Sequence, residues 1–592
     1  MKPSSIKRGA LGAVLAATVA LPAGAADMTY DRQLNVHREP QNWLLHGQNF
    51  ANHRYSSLSQ INSSNVSGVK LAFLTALSGF QSGGRYPHGN LEGTPLVEDG
   101  IMYVTDGWGS VYRIDVRSGR RGIIQWKMDP GTDRAWAGDV ACCGVNNRGV
   151  GFWKDQVISI VLDGRMIAMK KETGEVVWER KVADPAFAET ITNAPQIIRD
   201  MGITGVAGAE FGIRGWVDAT DLNTGKQKWR RHTIVGPGEP GFETWKAPDT
   251  WQHGGGSTWV TGAYDPDTNT TYWGTGNAGP DWDSEYRPGD NLWAASAIAL
   301  DADTGQQKWG FQYTPNDPFD YDEIGQHTLI DVKIGNDTRK TLAHAARNGF
   351  FYVLDKDNGS FVHGGGYVDK ITWTTGLDPK TGKPLSYDPS KSVQVYVPGT
   401  VGTRAKPRAD FCPSISGGTN WQTQSYNPNT GMLYTVATES CQATETKQEQ
   451  LGYKMAGSTM KPRDRFTGGG AIPINPYWRY GSLKALDVAT GKVAARADFK
   501  MESWSGTTVT NGNLVFVGHQ DGNVTAYDAR TLQELWSFNV GTSIEAPVIT
   551  YSVDGKQYLA VLIGGRMRPA VIVQYPDLKF GSTASMLAVF SL

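Results

Sequence analysis

Charge is scarce in this sequence. Only 19% of the residues are Asp, Glu, Lys or Arg, and 57 basic side chains against 58 acidic ones leave a formal net charge of −1. A near-neutral chain has no electrostatic footprint for nucleic acid or for an anionic membrane surface. Cysteine is scarcer still: Cys142, Cys143, Cys412 and Cys441 are the only four. None stands in a Cys-x-x-Cys-His arrangement, so no covalently attached c-type haem is expected on these residues. After the first 26 residues, no apolar run is long enough to span a bilayer.

Those first residues have a different character. Lys2, Lys7 and Arg8 precede the small and apolar "GALGAVLAATVALPAGAA", and Ala23-Gly24-Ala25 offers a cleavage site before Ala26. Residues 1–25 are therefore predicted to be a secretory signal, and 26–592 a single mature domain exported to the periplasm. In an exported chain, four cysteines favour disulfides, with three pairings open.

Glycine and tryptophan are abundant, at 71 and 20 residues. One phrase built on them recurs: Asp or Lys at the end of an apolar strand, then Thr-Gly, then Trp. It runs through "MIAMKKETGEVVW" to Trp178, "WVDATDLNTGKQKW" to Trp229, "AIALDADTGQQKW" to Trp309 and "VTAYDARTLQELW" to Trp536. Weaker copies are "VYRIDVRSGRRGIIQW", "FYVLDKDNGSFV" and "LKALDVATGKVAA". Each predicts a strand, a tight turn and a second strand whose Trp packs flat on a neighbour. Units of several strands at roughly 40–55-residue spacing describe propeller blades. The long interval from Asp355 to Asp487 is expected to hold a degenerate blade and insertions. The fold expected is all-β: an eight-bladed β-propeller of W-shaped four-stranded blades with tryptophan docking.

Several stretches stand outside this repeat. "PFDYDE" places Asp320 and Asp322 two positions apart; in extended chain both carboxylates would point the same way and raise each other's pKa. "ACCGVNNRG" holds the adjacent Cys142 and Cys143 and, beyond them, Arg148. A bridge between neighbours closes almost no loop and contributes little stability. "HGGGSTW" brings Trp259 after three glycines, which permit close backbone approach to a ligand. Glu210 in "GAEFGIRG" and Asn277 in "WGTGNAGP" offer oxygen ligands of the kind that hard cations select.

Taken in order along the whole mature chain, these stretches resemble the pyrroloquinoline quinone (PQQ) dependent alcohol dehydrogenases, which include the quinoprotein methanol and ethanol dehydrogenases. The resemblance implies a vicinal Cys142–Cys143 disulfide over one face of PQQ, Trp259 stacked on the other, and Arg148 at a PQQ carboxylate. It leaves Cys412–Cys441 as a conventional bridge. It implies Glu210, Asn277, Asp320 and Asp322 as metal ligands, with Asp320 also the catalytic base and Arg347 assisting at the reactive carbonyl. Glu92, Thr192, Gly208, Ala209, Asn420 and Trp504 fall at cofactor-contacting positions. Two departures stand out: Ala207 where relatives often carry a hydroxyl, and Phe319 where a Trp is common, a change expected to reshape the substrate side. Asp322 is the extra acid of the lanthanide-using branch. Three carboxylates favour a trivalent ion over calcium.

The activity implied is oxidation of alcohols, by default primary ones, to aldehydes or ketones, with hydride transfer to PQQ; a covalent addition route remains open. Polyols, sugars and polymeric alcohols are further substrate classes. A soluble periplasmic c-type cytochrome is the implied electron acceptor, and a homodimer is compatible with this reading. The rival class is a non-catalytic propeller scaffold of the outer-membrane assembly type, which needs neither adjacent cysteines nor an acid cluster.

Overall fold

The structure, a computed structural model, describes residues 27–78, 90–134, 140–449, 465–472, 479–565, 573–578 and 584–592. The signal expected over 1–25 lies outside the described residues. Among the elements of the described residues, the α-helix is Tyr30–Leu34, beside a few single 3-10 turns. The rest is strand and loop, and no helix among the described residues is long and apolar enough to cross a membrane.

Among the described residues, eight antiparallel meanders follow one another along the chain, each of four strands ordered as in the sequence or closed by a strand from elsewhere. They span 96–128, 150–181, 196–232, 263–312, 328–366, 425–499, 507–539 and 549–591. The seventh gains a fifth strand, Tyr55–Ser56, which pairs in parallel with Thr507–Thr510. The eighth takes its outermost strand from the other end of the chain: Lys70–Ala76 pairs antiparallel with Met586–Ser591. Residues 70–76 and 586–591 thus close the ring of sheets in the manner of a propeller.

The repeated phrase does one physical job in each sheet. Its aspartate folds the outer turn: Asp301 Oδ1 accepts from the N–H groups of Asp303 and Thr304, both at 3.1 Å, and Asp528 does the same for Arg530 and Thr531. The turn glycine then adopts positive φ, 72° at Gly305, where a side chain would be strained. That glycine is also the seat of the preceding sheet's tryptophan. A Cβ on Gly305 would come within 2.5 Å of the Trp229 ring, and one on Gly359 within 2.5 Å of Trp309. Each indole N–H then reaches a carbonyl in the same turn: Trp126 to Lys171, Trp178 to Leu222, Trp229 to Ala302 and Trp309 to Lys356, at 3.0–3.2 Å. Trp536 donates to Val69 O at 3.0 Å, fastening the seventh sheet to the strand that closes the eighth.

The weaker copies depart from the phrase in compensating ways. In the fifth sheet His363 takes the tryptophan's place, with Nε2 2.9 Å from Val488 O and its ring against Gly491. The sixth sheet has Ala495 at that position. The facing turn in the seventh carries Leu532 in place of glycine, held at φ 57°. Leu532 and Ala495 belong to one apolar cluster, so the larger side chain on one side fills the space the smaller one leaves.

The interval from Asp355 to Asp487 differs from expectation. Among the described residues it contains no further blade. Residues 367–424 run as a long connection, and an insertion splits the sixth sheet between Met432–Ser440 and Arg479–Asp487. Both contribute to a separate three-stranded sheet of Arg408–Phe411, Gln442–Thr446 and Gly469–Ile472. Cys412 and Cys441 join the connection to the insertion, with Cα atoms 4.3 Å apart. The eighth meander arises instead where the two chain ends meet, which no repeat in the sequence marks.

The Trp-on-glycine contact is a stability element with no part in chemistry. Trp229→Ala is expected to lower unfolding stability by about 3–5 kcal/mol, the usual cost of removing a buried Trp. Trp229 is only 9% exposed. His363→Ala is expected to cost less than half as much, since His363 is partly exposed. Denaturant titration of the two variants beside the parent chain checks both the magnitude and the order.

Candidate active site

A large cavity gathers side chains from loops of five different sheets. It encloses about 960 Å3, including the part that opens to solvent, a size that suits a small-molecule cofactor. Cys142, Cys143, Arg148, Thr192, Gly208, Glu210, Trp259, Asp320, Asp322, Arg347 and Asn420 all line it. These residues lie up to 278 positions apart in sequence, as the numbers 142 and 420 show.

Cys142 and Cys143 are disulfide-bonded to each other. Cys142 Sγ sits 2.9 Å from Glu210 Oε1. The two sulfurs and a Glu210 oxygen lie within 4.8 Å of one another, but a disulfide sulfur is no thiolate, so of the three only Glu210 offers an atom suited to a metal ion. The strip 465–472 fastens beside them: Arg465 Nη2 donates to Cys142 O at 2.8 Å, and Phe466 N–H to Glu210 O at 2.7 Å.

The acid pair is not brought together by strand alternation. Residues 317–324 form no strand, and Asp320 stands at φ +60°, a left-handed conformation that a non-glycine residue holds only when its surroundings enforce it. Asp317 enforces it here. Its carboxylate accepts the N–H groups of Phe319 at 3.0 Å and Tyr321 at 2.8 Å. Burial pushes the Asp317 carboxyl up to about 7. Asp322 is held separately: Oδ1 accepts the Asn277 N–H at 2.7 Å and Oδ2 the Trp259 indole N–H at 3.2 Å. Gly276 makes room for it, because a Cβ there would meet Asp322 Oδ1 at 2.3 Å.

Arg347 is the cation of the cluster. It lies 2.8 Å from Asp322 and 3.5 Å from Asp320, and its Nε donates to Ile415 O at 2.6 Å. Buried Glu323 sets its backbone, accepting the Arg347 N–H at 2.8 Å. One guanidinium does not offset the acids around it. Burial raises the Asp320 carboxyl well above the ordinary range; Arg347 opposes this, and Asp322 and Glu210 add to it. Glu210 is raised too, by burial and then by Asp322. Glu210 and Asp320 therefore lie within electrostatic reach of Asp322.

Four expected site residues sit behind the wall rather than in it. Glu92 pairs with Arg148 Nη2, both buried. Arg148 Nη1 meanwhile donates to Thr192 O at 3.2 Å, and its guanidinium lies 5.1 Å from the Trp259 ring centre. Trp504 stacks on Trp421, with ring centres 4.6 Å apart, and Trp421 lines the cavity. Ala209 is fully buried. Asn277 reaches the cluster through Asp322, and its side-chain Oδ1 is buried without a hydrogen-bond partner. Phe319 is withdrawn: it is fully buried and packs on Trp373 and Phe411, at 5.3 and 5.1 Å, and it does not line the cavity. Sequence reading passed over Trp421, Asn146, Thr190, Ile415 and Ser416 in the wall, and Asp317 and Asp281 behind it. Trp421 ends the stretch "CPSISGGTNW", where an aromatic next to Asn420 was a usable signal. The others carry no local mark.

The comparisons with known proteins agree with this geometry. The family model for the PQQ-binding β-propeller domain of glucose, ethanol and alcohol dehydrogenases matches residues 43–364 and 386–559. The chain is 36% identical to the quinoprotein alcohol dehydrogenase PedH of Pseudomonas putida, over 94% of this chain and 91% of that one. It is also 36% identical to the quinohemoprotein alcohol dehydrogenase of Comamonas testosteroni, over 90% of this chain and 73% of that protein. Among solved structures, the quinohemoprotein alcohol dehydrogenase ADHIIG of Pseudomonas putida superposes with a TM-score of 0.84 at 32% identity, covering 96% of this chain and 83% of that one. A europium-containing methanol dehydrogenase superposes with a TM-score of 0.83 at 29% identity, covering 95% of this chain and all of that one. This chain belongs to the PQQ-dependent alcohol dehydrogenases, β-propeller oxidoreductases of the quinoprotein and quinohemoprotein type.

Proposed function

We propose that this protein is a periplasmic quinoprotein that oxidises the CH–OH group of primary alcohols to aldehydes. PQQ serves as the redox group, one metal ion sits beside it, and a c-type cytochrome takes the electrons. Polyols and sugars lie within the same chemical class. The eight meanders are the blades of one propeller domain, preceded by the export signal at 1–25.

The observation that carries this reading is that Glu210, Asp320 and Asp322 line one cavity, while Asn277, whose N–H is bonded to Asp322, has a buried amide oxygen without a partner. Carboxylates that repel one another, with an unpartnered amide oxygen close by, form a donor set that suits a hard cation. The cavity suits PQQ for similar reasons. The disulfide and Trp259 both line it and offer flat or apolar contact to a ring system, and Arg148 and Arg347 are at hand for acidic and carbonyl oxygens. Asn420 Oδ1 is a second buried oxygen without a partner.

Cys142–Cys143 and Trp259 would hold the two faces of the ring system. Arg148, neutralised by Glu92, would meet a carboxylate, and Thr192 and Asn420 the remaining polar edge. Trp504 acts through Trp421, keeping that ring upright. Bound PQQ supplies an ortho-quinone that accepts the two electrons released by the alcohol. Asp320 takes the hydroxyl proton, and Arg347, 3.5 Å away, orients that carboxylate. A cation held by Glu210, Asn277 Oδ1, Asp320 and Asp322 would lower the raised Asp320 pKa and leave it ionised as a base. The count of three ligating carboxylates favours a lanthanide over calcium. The likeness to a europium-containing methanol dehydrogenase supports that choice.

Purified protein loaded with PQQ and either calcium or a light lanthanide is expected to reduce an artificial electron-acceptor dye with short alcohols. A silent dye with every metal and alcohol would leave the scaffold reading in its place. Asp320→Asn is expected to lower kcat by at least about 100-fold, in line with loss of a general base, while PQQ retention and melting temperature stay near the parent's. Turnover within a few-fold of the parent would remove Asp320 from the role of base. Asp322→Ala is expected to depress lanthanide-dependent turnover more than calcium-dependent turnover. Parallel activity profiles across both metals would defeat the charge argument.

A further inference from the structure

One buried acid close to this site has no role in the function proposed above. Asp281 is 1% exposed, and its Oδ1 accepts from Asn277 Nδ2 at 2.7 Å. No described Lys, Arg or His forms an ion pair with it. Arg287, a fully buried cation on the same loop, directs its donors elsewhere: to Pro280 O at 2.9 Å, Asp281 O at 3.1 Å, Asp317 O at 2.5 Å and Asn291 Oδ1 at 2.9 Å. It braces the backbones of the two acid-bearing loops without meeting the Asp281 carboxylate. The strip 465–472 covers the loop, with Trp282 N–H bonded to Thr467 O at 2.9 Å. Burial raises the Asp281 carboxyl well above its ordinary range, and the charges of Asp320, Glu210 and Asp322 raise it further. All three acids are therefore close enough to be felt.

The consequence for Asn277 is geometric. A side-chain amide has one acceptor end and one donor end. Asp281, together with Ala278 O at 3.1 Å, occupies the donor end. The acceptor end, Oδ1, is buried and unpartnered, on a residue whose own N–H is bonded to Asp322. Swapping the amide would set its oxygen against a carboxylate and a carbonyl. The orientation is thus locked with oxygen free.

We propose that Asp281 is a positioning residue for the metal ion: its carboxylate locks Asn277 with Oδ1 presented as a ligand. This rests on the metal centre proposed above. Asp281 itself does not touch the ion in this scheme; it acts from behind Asn277, as outer partners of metal ligands do.

The test uses the full chain loaded with PQQ, with terbium or calcium as the probe ion. Asp281→Asn keeps the shape but adds a donor that lets the Asn277 amide swap. Asp281→Ala removes the partner altogether. Equilibrium dialysis is expected to show terbium and calcium affinity at least about tenfold weaker in Asp281→Asn, and both weaker again in Asp281→Ala; losses of about 10–100-fold are usual for outer-shell changes. Melting temperature separates this from an ordinary structural acid. Without metal, the melting temperature of Asp281→Asn is expected to stay near the parent's, and the further gain on adding terbium to shrink. Terbium affinity within twofold of the parent in both variants overturns the proposal. So does a gain on adding terbium to Asp281→Asn as large as the parent's. A failure of Asp281→Ala to fold leaves both readings in Asp281→Asn, which preserves shape. A parent chain that binds neither ion overturns the metal centre itself, and this proposal with it.

Discussion

The structure depends on an unbalanced concentration of buried negative charge. Glu210, Asp281, Asp317, Asp320 and Asp322 meet where the loops of three neighbouring sheets converge, and Arg347 is the one side-chain cation among the described residues that pairs with any of them. Such an arrangement is costly in a low-dielectric interior. Local structure does not relax it, because each acid is tied down separately. Asp317 is fixed by two backbone N–H groups, Asp322 by a backbone N–H and an indole, and Asp281 by an amide. Repulsion maintained by independent anchors is what a multivalent cation would offset.

The ring of sheets is the frame that sustains this cost. Each sheet buries its own apolar faces and locks to the next by a tryptophan on a turn glycine. These contacts lie at the outer turns, far along each sheet from the loops that form the cavity. Function and stability are thereby separated in space. The cavity loops hold unusual backbone, such as Asp320 at φ +60°, while the strands behind them remain regular. The joint between 70–76 and 586–591 closes the ring through the chain's two ends, so that the loops are held from all sides rather than hung from an open edge.

The walls of the cavity show the same division of labour between contact and support. Arg148 faces the cavity and Glu92 neutralises it from behind. Trp421 faces it and Trp504 stacks at its back. Arg347 faces it while Glu323 sets its backbone. Asn277 and Asp281 form a pair of the same kind. A ligand entering such a site meets side chains already held in place, which lowers the ordering cost of binding.

Much of this was legible in the sequence. The period of the Asp–Thr–Gly–Trp phrase encodes the sheets, since both the turn and the docking seat are local chemistry. Cys142–Cys143, Arg148, Trp259 and Arg347 lie in short stretches with unusual composition, and all line the cavity. Three things were not legible. The eighth sheet is assembled from both chain ends and repeats no phrase. Phe319 beside Asp320 points into an aromatic core, which adjacency in sequence hides. Asp281 sits four residues past Asn277 with nothing local to distinguish it. By itself the sequence determined the units and the chemical kinds of the site residues, because strand, turn and indole seat follow from neighbours along the chain. Only the tertiary structure decided which acids share one buried volume and which stand behind others, because electrostatic energy depends on separation in space, and residues brought together here by loop closure lie tens to hundreds of positions apart.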